Sequence, residues 1–242
     1  MIINGKEYNR SNIGKLFDYA MLNHDVTRAD IQNHVKKAIE LNVNGVHCNP
    51  YWLPMIADML EGTGIQTGII PSFPFGCSDT NSKLMQIESD CRILKGRPGC
   101  VDAVGNVGLV RGGELKAYTD DLKEIVKVGH EYGYPVKIIL ETPFLTDDQI
   151  ADACKCATEA GADYVKTASG RSGVSEMHAV DIMKENISPN MGIKYAGMGP
   201  TNVTALVILG LSKGVSLFGN GFAHVVIDEV EKYYSNLVIE NK

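Results

Sequence analysis

Short apolar runs recur along the chain at residues 16–22, 45–49, 68–73, 101–107, 136–141, 164–169, 192–196 and 215–219. Their length, and the Val and Ile in most of them, predict parallel strands buried on both faces. Between the runs the apolar spacing changes to a period near 3.6, the mark of helices with one buried stripe. Residues 27–41 place Ile31, Val35, Ala38 and Ile39 on such a stripe. Residues 122–132 do the same with Ile125, Val126 and Val128, and residues 150–160 with Ala153, Cys154, Ala157 and Ala160. A last helix is predicted over 227–238, with Tyr233 and Tyr234 as packing residues. Thr146-Asp147-Asp148-Gln149 is a capping-box pattern, and Gly133, Gly161 and Gly214 fall where helices end and the chain turns back into strands. Eight strand–helix units with right-handed crossovers close most naturally into a (β/α)8 barrel of the α/β class. An open doubly wound sheet is the alternative, but no GxGxxG follows the first run. No low-complexity segment or long linker divides the chain, so a single domain over 1–242 is expected.

Composition narrows the picture without changing it. The length of 242 residues is close to the ~250 of a single α/β barrel, and a chain of this size needs no disulfide or metal to support its core. A formal charge of −6 argues against a nucleic-acid binder, which needs a basic face. No stretch approaches the ~18 apolar residues of a membrane span, and the first residues lack an apolar run of signal-peptide length, so a cytoplasmic protein is expected. The six cysteines form no CxxC pair. Cys154 and Cys156, two apart on a helix, face different directions; free thiols are expected rather than a metal site.

Candidate chemistry lies where polar residues interrupt the apolar runs near their C-terminal ends, the face on which barrels of this kind carry their sites. Lys166 lies in the sixth run, Lys194 within the seventh, and Asp102 near the start of the fourth. A period of two puts Asp102, Val104 and Asn106 on one face, predicted to be the barrel interior. Two lysines and an aspartate are costly to bury unless they compensate one another. Burial and a neighbouring ammonium both lower a lysine's pKa from ~10.4, which frees the amine to attack a carbonyl. Asp102 then moves protons as the adduct dehydrates. Taken one at a time, such residues are more often solvated or ion-paired, and spacing by itself leaves both readings open.

The segments around these residues are similar to those of the deoxyribose-phosphate aldolase family, class I aldolases on a (β/α)8 barrel. The family's active lysine lies in a V-K-T-S-T-G-like segment, matched by Val165-Lys166-Thr167-Ala168-Ser169-Gly170. Its second lysine matches at Lys194, and its proton-relay aspartate segment resembles Val101-Asp102 through Asn106-Val107-Gly108. Phe17-Asp18-Tyr19-Ala20-Met21-Leu22, Val46-His47-Cys48-Asn49-Pro50-Tyr51, Phe73-Pro74-Phe75-Gly76 and Val136 to Thr142 resemble further family segments in the same order. The resemblance implies that Lys166 forms an imine with a donor aldehyde, acetaldehyde in the family, while Asp102 and Lys194 assist proton transfer. It implies no cofactor. It also sets Cys48 beside the donor pocket, with Asn106 among the substrate contacts; a small buried hydrophobe is the alternative for Cys48.

The family holds its substrate phosphate with the loops after strands six, seven and eight. On that resemblance the cup here comprises Ser169, Gly170, Arg171, Gly197, Gly199, Gly219 and Asn220. Met198 and Pro200 replace the family's usual glycine and arginine, and Pro200 also removes a backbone N–H. The first strand has Tyr19-Ala20 in place of a His-Thr pair. The expected reaction is cleavage of 2-deoxy-D-ribose 5-phosphate to acetaldehyde and D-glyceraldehyde 3-phosphate. The alternatives are a related Schiff-base aldolase with a substrate of different size or one without phosphate, a barrel isomerase using the same Lys and Asp, and a barrel that binds without catalysing. The expected partners are a small aldehyde or sugar phosphate and, as is common for barrel enzymes, further copies of the chain.

Overall fold

The computed structural model describes residues 1–240; the last two residues of the domain expected over 1–242 lie outside it. Eight parallel strands close into a barrel: β1 (Phe17–Met21), β2 (Gly45–Cys48), β3 (Gln66–Ile69), β4 (Gly99–Val104), β5 (Val136–Ile139), β6 (Tyr164–Lys166), β7 (Gly192–Ala196) and β8 (Leu217–Asn220). Each pairs with its neighbours in chain order, and β8 closes onto β1 through Phe218 opposite Phe17 and Gly219 opposite Asp18. The helices of the outer ring are α1 (Arg28–Glu40), α2 (Leu53–Met59), α3 (Thr80–Leu94), α4 (Val107–Arg111), α5 (Leu115–Glu131), α6 (Asp147–Glu159), α7 (His178–Asn186), α8 (Val203–Lys213) and α9 (Ala223–Tyr233). Among the described residues no helix is long and apolar enough to cross a membrane.

Local chemistry accounts for most of these boundaries. α1 and α6 open with capping boxes, Thr27 with Asp30 and Thr146 with Gln149, each satisfying orphan N–H groups of the first turn. Gly133, Gly161 and Gly214 take left-handed conformations at φ 76°, 78° and 100°, reversing the chain after α5, α6 and α8. The sheet departs furthest from expectation in four strands. β3 begins at Gln66 and ends at Ile69, because Ser72 (φ 54°) and Gly76 close a turn, with the Gly76 N–H donating to the Ser72 carbonyl at 2.8 Å. β4 stops at Val104 because Asn106 caps α4, its Oδ1 accepting from the Gly108 N–H at 3.1 Å. β6 ends at Lys166, and the Thr167 hydroxyl then donates to the Ala196 carbonyl at 2.7 Å. β8 runs over Leu217–Asn220 rather than 215–219.

Two helical expectations also change. Ile39 is exposed, and His34 takes its place on the buried face of α1, its ring stacked on Tyr19 at 4.0 Å between centroids. The last helix is Ala223–Tyr233, not 227–238; Tyr233 is exposed and Tyr234 packs against the core. Beyond it Val238–Ile239 pairs in parallel with Ile2–Ile3, which pairs antiparallel with Lys6–Glu7. This small sheet docks on the C-terminal end of α8, the Asn4 amide donating to the Ser212 carbonyl at 3.1 Å, on the side of the barrel where the strands begin. The other end is left as the mouth.

Candidate active site

The interior of this barrel carries charge where branched aliphatic layers are usual. β1 contributes Asp18, β2 His47, β4 Cys100 and Asp102, β5 Lys137, β6 Lys166 and β7 Lys194, all buried. Asp102 is the hub. Its Oδ2 accepts from Lys166 Nζ at 3.0 Å and from Lys194 Nζ at 2.6 Å, while Lys137 Nζ and His47 Nε2 each lie 3.2 Å from Oδ1. Lys194 also donates to Asp18 Oδ2, as does Lys137 at 2.7 Å, and the Asn44 amide donates to Asp18 Oδ1 at 2.8 Å. Lys137 Nζ lies 3.1 Å from Cys100 Sγ.

Position in this network sets each charge. Burial favours the neutral acid for Asp102, but Lys137, Lys194 and Lys166 outweigh it and hold the carboxyl well below the usual range. Burial likewise opposes the ionised form of Asp18, and Lys137 and Lys194 again prevail. Lys137 is buried too, yet Asp102 and Asp18 hold it charged, well above the ordinary lysine value. Lys166 differs. Burial and the Lys194 ammonium bring its amine down to about 8, against a smaller opposing pull from Asp102. At pH 7 that leaves about a tenth of it as free amine, against about one part in 3,000 at 10.5.

Asp18, His47, Cys100 and Asp102 offer ligand atoms within 4.8 Å of one another, a donor set that could hold a metal. The ammonium groups of Lys137 and Lys194 already stand against those carboxylates and supply the positive charge a cation would bring.

Above the lysines the barrel opens into a cleft of about 260 Å³. Ser169, Gly170, Arg171, Gly197, Gly199, Gly219 and Asn220 line it together, with Ala20, Leu22, Met198, Pro200, Gly221 and Phe222. Gly219, which lines the cleft, also lies against the lysines: a side-chain carbon there would stand 3.0 Å from Lys194 Cε and 3.8 Å from Lys166 Cε. Arg171 is exposed at the rim, its Nη1 donating to Asn23 Oδ1 at 3.0 Å. Glu141, left-handed at φ 58°, accepts a short hydrogen bond from the Ser169 N–H and anchors the loop that follows Lys166.

The structure thus brings Lys166, Asp102 and Lys194 together and gathers the seven expected cup residues around one opening. It does not bring in Cys48 or Asn106. Alternation along β2 turns His47 into the barrel and Cys48 outward into the apolar shell, where burial pushes its thiol up to about 12. Asn106 lies beyond the end of β4 and caps α4 instead of sharing the interior with Asp102 and Val104. Asp18, His47 and Lys137 were not among the expected site residues. Their signal is the one that marked Asp102: a charged or polar residue inside an apolar strand.

A family described as DeoC/LacD family aldolase matches residues 13–207. The chain is 34% identical over 187 residues to a deoxyribose-phosphate aldolase of Bacillus cereus (strain G9842), covering 77% of this chain and 82% of that one. It is 32% identical over 219 residues to a deoxyribose-phosphate aldolase of Thermococcus kodakarensis, covering 86% and 96% respectively. Among solved structures, a deoxyribose phosphate aldolase from Aeropyrum pernix, described as tetrameric, superposes with a TM-score of 0.82 over 92% of both chains; at 22% identity this is a likeness of fold. Fold and relatives together define a carbon–carbon lyase of the aldolase type. The chain belongs to the DeoC/LacD aldolase family.

Proposed function

We propose that this chain cleaves and forms the C2–C3 bond of 2-deoxy-D-ribose 5-phosphate through an imine on Lys166, with residues 1–242 acting as one catalytic domain. The observation that carries this reading is a buried amine, lowered to about 8, that contacts Asp102 beneath an open cleft. The free Lys166 amine adds to the C1 aldehyde of the open-chain sugar. Lys194 and Asp102, joined by the hydrogen bond from Lys194 Nζ to Oδ2, pass a proton to the departing hydroxyl. The protonated imine draws electrons as C2–C3 breaks and the C3 hydroxyl loses its proton, releasing D-glyceraldehyde 3-phosphate. The remaining enamine is protonated at C2, and water hydrolyses the imine to acetaldehyde.

The test is reduction with borohydride in the presence of acetaldehyde, read by peptide mass. The expected result is a two-carbon adduct on Lys166, formed faster as pH rises through about 8 because the free amine increases tenfold per pH unit below that value. An unlabelled Lys166, or labelling that falls with rising pH, overturns the mechanism.

The phosphate is assigned to the cleft rim. Backbone amides of the glycine-rich loops and the Arg171 guanidinium supply donors there. Arg171→Gln is expected to raise KM for the phosphorylated sugar by about 10–100-fold with kcat nearly kept, the loss of one charge-assisted contact. A second reading, an aldol substrate without phosphate, is favoured by Met198, buried against the cleft, and by Pro200, which offers no N–H. A higher kcat/KM for 2-deoxyribose than for its 5-phosphate would select it. The cytoplasmic setting and a homo-oligomeric state complete the proposal, the latter supported by the relative described as tetrameric. Light scattering on the purified chain tests the assembly.

A further inference from the structure

His47 stands in the charged interior without a role in the chemistry so far described. β2 turns its ring inward and lays it on β3 at Gly68, where the lack of a side chain makes room for it. A side-chain carbon on Gly68 would lie 2.2 Å from the ring Cδ2 and 2.4 Å from Nε2. The ring is buried, with Nε2 3.2 Å from Asp102 Oδ1, 3.9 Å from Asp18 Oδ2 and 3.6 Å from Cys100 Sγ. Two ionised carboxylates on the Nε2 side place the ring's proton there, since a lone pair facing them would be repelled. Burial, followed by the nearby Lys194 ammonium, disfavours a second proton, so the ring works as a neutral dipole.

The contact with Oδ1 is electrostatic and steric rather than a well-aligned hydrogen bond; the Lys137 ammonium also lies 3.2 Å from Oδ1, and among the described residues no group bonds this oxygen with good hydrogen-bond geometry. Its effect is on the orientation of the carboxylate. With the imidazole wedged on the Oδ1 side, Asp102 turns the other oxygen to Lys166 and Lys194 together, and that shared oxygen is what allows a proton to move between them and a substrate. A carboxylate free to rotate would lose this alignment, and misplacement by about 1 Å can cost on the order of 100-fold in rate.

We propose that His47 is a positioning residue for the aldol chemistry: seated in the gap left by Gly68, it fixes Asp102 with Oδ2 turned to both lysines. The proposal rests on the Schiff-base reading above, in which Asp102 moves protons. The test separates imine formation from proton transfer. Borohydride trapping with acetaldehyde reports the imine on Lys166, and NMR in heavy water reports exchange of the acetaldehyde methyl protons, which proceeds through the enamine. In His47→Ala the trapped fraction at equilibrium is expected to stay near that of the unaltered protein while methyl exchange slows about 10–100-fold. His47→Gln, which keeps an N–H donor of similar reach, is expected to recover most of that rate. Gly68→Ala, which pushes the ring away, is expected to slow exchange comparably, and to add little in a His47→Ala background where there is no ring to displace. Exchange within twofold of the unaltered protein in His47→Ala overturns the proposal, as does a glutamine variant no faster than the alanine one. If His47→Ala does not fold, the glutamine and Gly68→Ala variants carry the comparison, and normal exchange in Gly68→Ala overturns it. Absence of label on Lys166 in the unaltered protein would overturn the Schiff-base reading, and this proposal with it.

Discussion

Lys166→Met is expected to lose aldol activity by roughly 10⁴–10⁶-fold, the scale on which removal of a covalent nucleophile is felt, while the protein remains folded. The fold is expected to survive because the Lys166 ammonium is disfavoured where it sits, first by burial and then by Lys194. Its stability effect has a defined sign. Folding lowers this lysine from 10.5 to about 8, so the unfolded chain binds more protons between those values and folded-state stability rises with pH across that window. Methionine removes the penalty. The variant is therefore expected to be at least as stable as the unaltered protein below pH 8, with any advantage shrinking between pH 8 and 10.5. Urea unfolding across that range and steady-state cleavage assays measure both effects. A variant that unfolds at lower urea at pH 7 would show instead that the Lys166–Asp102 pair stabilises the barrel.

Asp18→Asn is expected to produce the largest loss of stability. The Asp18 carboxylate accepts from both Lys137 and Lys194, and amide substitution leaves those two buried ammonium groups with Asp102 as their remaining carboxylate partner. Removing one partner of such a buried set costs about 3–5 kcal/mol, which in a domain of this size lowers Tm by roughly 6–20 °C. Asp18 is held below its ordinary value of 3.8 in the fold, so its contribution is full above that pH and is lost as pH falls toward the folded value. The gap between variant and unaltered protein is therefore expected to be widest near neutral pH and to close in acid. Equal melting temperatures at pH 7 would show that Lys137 or Lys194 sheds its proton to compensate.

Much of this arrangement was legible in the sequence because it follows from periodicity. Eight apolar runs separated by helical stripes define a barrel, and Lys166, Asp102 and Lys194 stand out as charges in strands that are otherwise apolar. The face a residue takes is harder to read where one position decides it. Cys48 and His47 are neighbours, and only the pairing of β2 with its neighbours settles which of them enters the interior. Asn106 continues the period of Asp102 and Val104, but its side chain does better as a helix cap, which ends the strand two residues earlier. Asp18 and Lys137 were within reach of the same reasoning that found Asp102. Their pairing across the barrel, between β1 and β5, was not, because strands four apart in the ring meet only when the sheet closes.

That shared interior also has a charge count. With His47 neutral, three lysines face two aspartates, so the interior carries one surplus positive charge while Lys166 is protonated and none when it is a free amine. In the proposed reaction the protonated imine restores the surplus and the enamine removes it again. The two balanced states are thus the two nucleophiles of the cycle, nitrogen attacking a carbonyl in one and carbon attacking in the other. A single imbalance, fixed by how many lysines and aspartates the strands turn inward, favours the proton loss that generates each nucleophile. A substitution that alters this count should move the deprotonation of Lys166 and the conversion of the protonated imine to the enamine in the same direction.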